Sequence, residues 1–189
     1  MKSHGFGDRR FLAPGQWPPA IRVTRRYPAA PDRVFAAWLD PSMAARWLFA
    51  TAFCPLARAA IDARIGGSFC FTERHAGMQI DYTGQYVEIA PPRRLAFTLS
   101  VRGEPQPVTR VAVEIMPLRT GCVLHLTHDN VPTDSADRAE ARWTGILYGL
   151  GVALERATNV GIGAEPGPPS NWRSVNRVQR VATNRGRNS

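Results

Sequence analysis

The hydrophobic pattern first becomes regular at Ile21, where IRVTRRY sets Ile21 and Val23 against Arg22 and Thr24 and predicts a strand with one buried face. Pro28 ends it. In AAPDRVFAAWLDPSMAARWLFA the period lengthens to that of a helix. Pro31 suits a first helical turn, Asp32 places a negative charge at the positive end of the helix dipole, and Val34, Phe35 and Trp38 share a face. Asp40-Pro41 reads as the cap and first residue of a second short helix carrying Ala44, Trp47 and Leu48. From Ala59 onward apolar and polar residues alternate in short runs: AIDARIGGSFCFTER, MQIDYTGQYVEIA, RRLAFTLSVR, VTRVAVEIMPL and CVLHLTHDNV. Turn signals at His75-Ala76-Gly77, Pro91-Pro92, Pro105 with Pro107, and Thr120-Gly121 separate them, so the pattern predicts five successive antiparallel strands.

The longest helical face runs from about Asp134 to Thr158. Trp143, Leu147, Leu150, Leu154 and Ala157 recur at steps of three and four, and Ile146 and Ala153 widen the stripe. Asp134 or Ser135 can cap the first amides, with Asp137 near the dipole's positive end. Gly145, Gly149 and Gly151 each cost such a helix about 0.5–1 kcal/mol relative to alanine. Burying Trp143, Ile146, Leu147, Leu150 and Leu154 at about 1.5–3 kcal/mol apiece outweighs that cost, so the helix requires a surface to lie on. Gly145 and Gly149 then either let backbone pack closely or leave room for a ligand beside the helix. Strand, two helices, about five strands and a long helix make an α+β domain: an antiparallel sheet of about six strands, covered on one face by the closing helix.

Composition narrows the setting. At 189 residues with 44% hydrophobic residues, the chain suits one domain, expected over residues 21–159. A flexible leader is expected over residues 1–20, and a basic, disordered tail over residues 160–189. With no signal-peptide pattern and no run near the roughly 20 apolar residues of a membrane span, a cytoplasmic location is the expectation. Cys54, Cys70 and Cys122 lack paired spacing, so free thiols are expected, with neither a disulfide framework nor a metal site nor a cofactor. The net charge of +9 divides as +2 in residues 1–20 and +5 in residues 166–189, which leaves only +2 for residues 21–165. No specific nucleic-acid partner is therefore expected of the folded part.

Strand alternation assigns side chains to faces. Cys122, Leu124, Leu126 and His128 fall on one side of the last strand, with His125 and Thr127 on the other, so the two histidines cannot share a metal. If the leucines face the helix, His128 points inward. Phe69 and Phe71, followed by Glu73, share the inner side of an earlier strand; Tyr82, Gly84 and Tyr86 alternate likewise, as do Leu95, Phe97 and Leu99. The resulting chamber is mainly apolar with a few polar tips, the composition of a small-molecule site. Its expected sheet wall is Phe69, Phe71, Tyr82, Tyr86, Phe97, Leu126 and His128. Trp38 and Trp47 line it from the short helices, and Trp143, Leu147 and Leu150 from the closing helix. Glu73, Tyr82 and His128 are the catalytic candidates, with His75 a further polar group nearby, since a buried carboxyl beside a histidine can serve acid–base chemistry. Gly66-Gly67 lacks the spacing of a dinucleotide loop and suits a bulge or a tight strand start.

Five phrases occur in an order that resembles the SRPBCC or START-like superfamily, in the branch related to the C-terminal domain of activators of the heat-shock chaperone ATPase. They are AAPDRVFAAWLDPSMAARWL, RIGGSFCF, YTGQYVEIAPPRRLAFT, TGCVLHLTHDNVP and RWTGILYGL, spanning about residues 20–158. The resemblance implies a helix-grip fold, in which a curved antiparallel sheet wraps the C-terminal helix around an apolar cavity. The family often has glycine before the helix tryptophan, whereas here Arg142 precedes Trp143. Binding of an apolar or amphipathic small molecule in the cavity, by a monomer or homodimer, is the leading functional expectation. A cyclase- or hydrolase-like enzyme using the polar groups of the cavity is the alternative, and a chaperone-associated interaction module, suggested by the branch, is a third.

Overall fold

The structure, a computed structural model, describes residues 20–50, 56–75, 78–103 and 108–160. The expected leader, nearly all of the expected tail, Cys54 and the Pro105/Pro107 turn lie outside the described residues. The order is β1 (Ile21–Tyr27), α1 (Pro31–Leu39), α2 (Pro41–Ala44), β2 (Leu56–Ile61), β3 (Ser68–His75), β4 (Met78–Ala90), β5 (Arg94–Val101), β6 (Thr109–Pro117), β7 (Cys122–Asp129) and, after a 3-10 turn at Thr133–Ser135, α3 (Ala136–Val160).

Seven strands form one antiparallel sheet in the order β1-β7-β6-β5-β4-β3-β2. From β2 to β7 the chain is a simple meander; β1 joins the far edge by pairing with β7, from Ile21 opposite His128 to Tyr27 opposite Cys122. The sheet has one strand more than the pattern predicts. The segment from Leu56 to His75 folds back on itself at Gly66, whose φ of +78° is readily adopted only by glycine, and so yields β2 and β3 rather than one strand. Leu56 to Ile61 shows no clean alternation to mark it, being half-buried to exposed throughout.

The helices sit where the sequence places them. Asp40 caps α2, its Oδ1 accepting from the amides of Ser42 (2.7 Å) and Met43 (3.2 Å). The regular helix is shorter than expected, ending at Ala44, yet the amides of Trp47 and Leu48 still donate to the Ala44 carbonyl and extend the turn. Asp134 and Ser135 lie in the 3-10 turn, where the Ser135 hydroxyl donates to Asp134 Oδ1, rather than in the first turn of α3.

The inner face of the sheet and the apolar stripe of α3 meet in one core. Trp143, Ile146, Leu147, Leu150, Ala153 and Leu154 are all buried. Two polar tethers hold α3 along its length. The Tyr27 phenol donates to the Leu147 carbonyl (2.8 Å), and the Arg33 guanidinium on α1 donates to the Leu154 carbonyl (3.2 Å) and to Thr158 Oγ1 (2.9 Å). Burial raises the Tyr27 phenol well above its ordinary pKa, so it remains a donor.

Candidate functional site

The inner face of β3, β4 and β5 is aromatic. Phe69 packs with Phe71, Tyr86 and Phe97 at ring-centroid distances of 5.5, 5.6 and 5.4 Å. The strand opposite makes room for it: a Cβ added at Gly84 would lie 2.6 Å from the Phe69 ring and 1.8 Å from the Thr98 carbonyl oxygen. Trp38 closes the other side, 6.1 Å from Phe97 and in edge-to-face contact with Trp47 at 4.7 Å. All six side chains are buried, as are Leu126, Leu147 and Leu150.

His128 points inward and is fully engaged. Its Nδ1 accepts from the Trp143 indole Nε1–H at 3.0 Å, and its Nε2 lies 2.8 Å from Thr109 Oγ1. The Thr109 hydroxyl proton is committed to the Leu99 carbonyl (3.0 Å), so Nε2 must carry the ring proton and donate. The arrangement fixes the neutral Nε2–H tautomer. Burial pushes the His128 pKa down from 6.5 to about 4, against a small opposing pull from Asp129. His125 faces the outer side of the sheet, its Nδ1 2.8 Å from Thr24 Oγ1.

Glu73 and Tyr82 do come together. The Tyr82 phenol lies 3.1 Å from Glu73 Oε2 as donor. Arg142 closes the cluster: it hydrogen-bonds the phenol oxygen, stands 3.7 Å from Glu73 Oε2, and lies over the Tyr82 ring at 4.6 Å. Burial raises the Tyr82 pKa, the Arg142 hydrogen bond opposing it in part. Glu73 is 12% exposed and Arg142 47%, so the cluster forms a rim between core and solvent. None of the His128 hydrogen bonds reaches Glu73 or Tyr82; the three catalytic candidates are two groups, not one. The backbone of β3 ends at His75, whose side chain lies outside the described residues.

Phe49 links these groups, and the sequence pattern did not mark it. Its ring stacks on Tyr82 (4.4 Å, 10° between planes) and packs on Phe71 (5.8 Å) and Trp143 (5.9 Å), with Arg142 5.7 Å above it. It adopts φ +60°, a conformation an aromatic residue rarely takes, and is buried all the same. The Arg142-Trp143 pair was the available signal: the indole seals the core through His128 while its neighbour reaches the rim.

The helix glycines behave differently from one another. A Cβ at Gly149 would meet Trp47 Cβ at 3.6 Å, ordinary contact, so Gly149 backs onto the segment after α2 rather than the strands. Gly145 is exposed, with nothing within 4 Å of an added Cβ, and serves neither close packing nor a ligand space under the helix. Cys70 and Cys122 are free thiols, the latter buried. Among the described residues no cluster of three or more His, Cys, Asp or Glu is arranged to hold a metal, and no helix is long and apolar enough to cross a membrane.

A seven-stranded antiparallel sheet gripping a long C-terminal helix, with two short helices after the first strand, defines a helix-grip domain of the SRPBCC class. The family model described as "Activator of Hsp90 ATPase homolog 1-like protein" matches residues 28–155, more than half of the chain, and the protein belongs to that family. Solved structures agree. A Chromobacterium violaceum protein is 26% identical, covering 72% of this chain and 96% of its own, with a TM-score of 0.66. CalU16 from Micromonospora echinospora is 26% identical over 71% of this chain and 75% of its own, with a TM-score of 0.56. An AHSA1-like protein from Aeromonas hydrophila shares the fold at 22% identity, covering 79% of this chain and all (100%) of its own, with a TM-score of 0.66. No curated protein matches the chain.

Proposed function

We propose that the domain binds an amphipathic small molecule on the inner face of the sheet, beneath α3. The observation that carries this reading is the gradient of polarity along that face. Phe69, Tyr86, Phe97, Trp38 and Trp47 supply an aromatic interior, and Tyr82, Glu73 and Arg142 form a polar cluster at a half-exposed rim. An apolar body would sit among the rings and a polar end at the rim, the division of labour usual in small-molecule sites. Arg142 and Tyr82 offer donors there, and Glu73 an acceptor. Phe49, stacked between rim and interior, would have to give way or form part of the contact.

The test is native mass spectrometry and solvent extraction of the purified full chain, followed by titration with fatty acids and polycyclic aromatics monitored by tryptophan fluorescence. A co-purified or titratable ligand whose affinity falls in Arg142→Ala supports the reading. A chain that carries nothing and binds no member of either series overturns it.

A catalytic reading is narrower than the sequence suggests. His128 has its lone pair occupied by Trp143 and its proton by Thr109, so acid–base chemistry would rest on Tyr82 with Glu73. Turnover of a bound ligand lost in Tyr82→Phe, with binding retained, is the result that would favour it.

A further inference from the structure

Two buried donors at the inner face lack acceptors. The indole Nε1 atoms of Trp38 and Trp47 have no hydrogen-bond partner among the described residues, although each residue is only 1% exposed. Other buried polar groups are matched: Tyr27 with Leu147, Trp143 with His128, His128 with Thr109, and Thr72 with Asp81. A buried donor left unmatched is costly, and phenylalanine would fill much of the same volume without that cost.

The contact between the two rings does not remove the problem. They meet edge to face, 83° between planes, so the edge of one ring points at the face of the other. Such a pair can offer a π face to one N–H, not to both. At least one indole N–H is left without an oxygen or nitrogen acceptor and, within this pair, without a π face. A third orphan, Arg25 Nε, belongs elsewhere: it lies by Gly151 with its guanidinium over the exposed Tyr148, whereas Trp47 lies against Gly149. Gly149 and Gly151, two residues apart, sit on different sides of α3.

We propose that Trp38 and Trp47 form a donor site for a neutral oxygen acceptor, a carbonyl or ether, carried by the inner end of the bound molecule. This rests on the binding reading above and adds a second polar contact at the opposite end from the rim. The acceptor is neutral because the donors are uncharged and the charged pair Glu73 and Arg142 belongs to the Tyr82 end. A carboxylate placed against these indole N–H groups would be buried without a counter-charge. The ligand class is thus an apolar, preferably flat body with an oxygen acceptor on the end that enters first.

The test compares two probes of one shape, naphthyl methyl ketone and ethylnaphthalene, on the full chain. The expected result is about tenfold tighter binding of the ketone, the effect of one well-made hydrogen bond. In proton–nitrogen correlation spectra the Trp38 and Trp47 indole signals move on saturation with the ketone but not with the hydrocarbon; the Trp143 signal, held by His128, stays. The double variant Trp38→Phe/Trp47→Phe should bind both probes equally. Equal binding by the native chain, or a ketone preference that survives in the double variant, overturns the inference while leaving apolar binding intact. If neither probe binds, this inference falls; the binding reading falls with it only if the chain also carries no ligand and binds no fatty acid or polycyclic aromatic. Should the double variant fail to fold, the native spectra decide, and unmoved Trp38 and Trp47 signals overturn the proposal.

Discussion

The indole of Trp143 on α3 donates to Nδ1 of His128 on β7 across 3.0 Å, joining the closing helix to the sheet through a buried hydrogen bond. That bond exists only while the imidazole is neutral. Protonating Nδ1 would set two donors against each other in an apolar site.

A pH dependence follows directly. Unfolded, His128 titrates near 6.5; folded, at about 4. Above pH 6.5 the ring is neutral in both states and the linkage costs nothing. As pH falls from 6.5 toward 4 the unfolded chain takes up a proton that the folded chain refuses, and stability declines by up to about 3 kcal/mol. Denaturant unfolding at pH 7.5 and at 4.5 measures the loss. In His128→Gln, whose amide can accept from Trp143 and donate to Thr109, the difference between the two pH values should shrink by about 2 kcal/mol. An unchanged difference would assign the acid lability to other groups.

Tyr27→Phe removes the phenol that donates to the Leu147 carbonyl and nothing else of the packing. The expected cost is about 1 kcal/mol, read as a lower urea midpoint with an unchanged slope. The raised pKa of this phenol means that the native chain shows no ionisation of Tyr27 on moderate alkaline titration.

Phe49 offers an inversion of the usual ranking of small residues. Replacing it by alanine empties the space shared with Phe71, Tyr82 and Trp143, at about 3–5 kcal/mol. Glycine empties the same space but relieves the positive φ. Phe49→Gly should therefore be more stable than Phe49→Ala by about 1 kcal/mol, where glycine is ordinarily the worse of the two.

The α3 glycines separate in the same way. Gly145→Ala meets open space and should stabilise the chain by about 0.5–1 kcal/mol through helix propensity. Gly149→Ala makes ordinary contact with Trp47 and should be tolerated, whereas Gly149→Leu forces its bulk against the Cβ and backbone of Trp47 and should cost about 1–3 kcal/mol. Thermal midpoints of the three variants check the order.

Much of this is legible in the sequence, because period-two alternation is enforced by burial on one face of the sheet. The inward direction of His128, Phe69 and Tyr82, the outward direction of His125 and the Asp40 cap all follow from spacing alone. Less legible are features set by tertiary contact. Alternation assigns Gly84 to the inner face without disclosing that the Phe69 ring rests on it, since that depends on how β3 and β4 are registered. Phe49 lies in an apolar run after a helix, and nothing local signals φ +60° or its place over Tyr82. The departure at Arg142 was visible as an unexpected residue; its meaning came only with Glu73 and Tyr82 beneath it.

Among the described residues the strand order leaves β1 and β2 at the two edges of the sheet, and each carries a feature that disfavours extension by another chain. Along β1, Arg22 and Arg26 are exposed, so a strand arriving there from a second copy would bring like charges together. Along β2 the register shifts between Leu56 and Arg58, breaking the straight ladder that such a strand would need. Both features disfavour edge-to-edge growth of the sheet by backbone pairing.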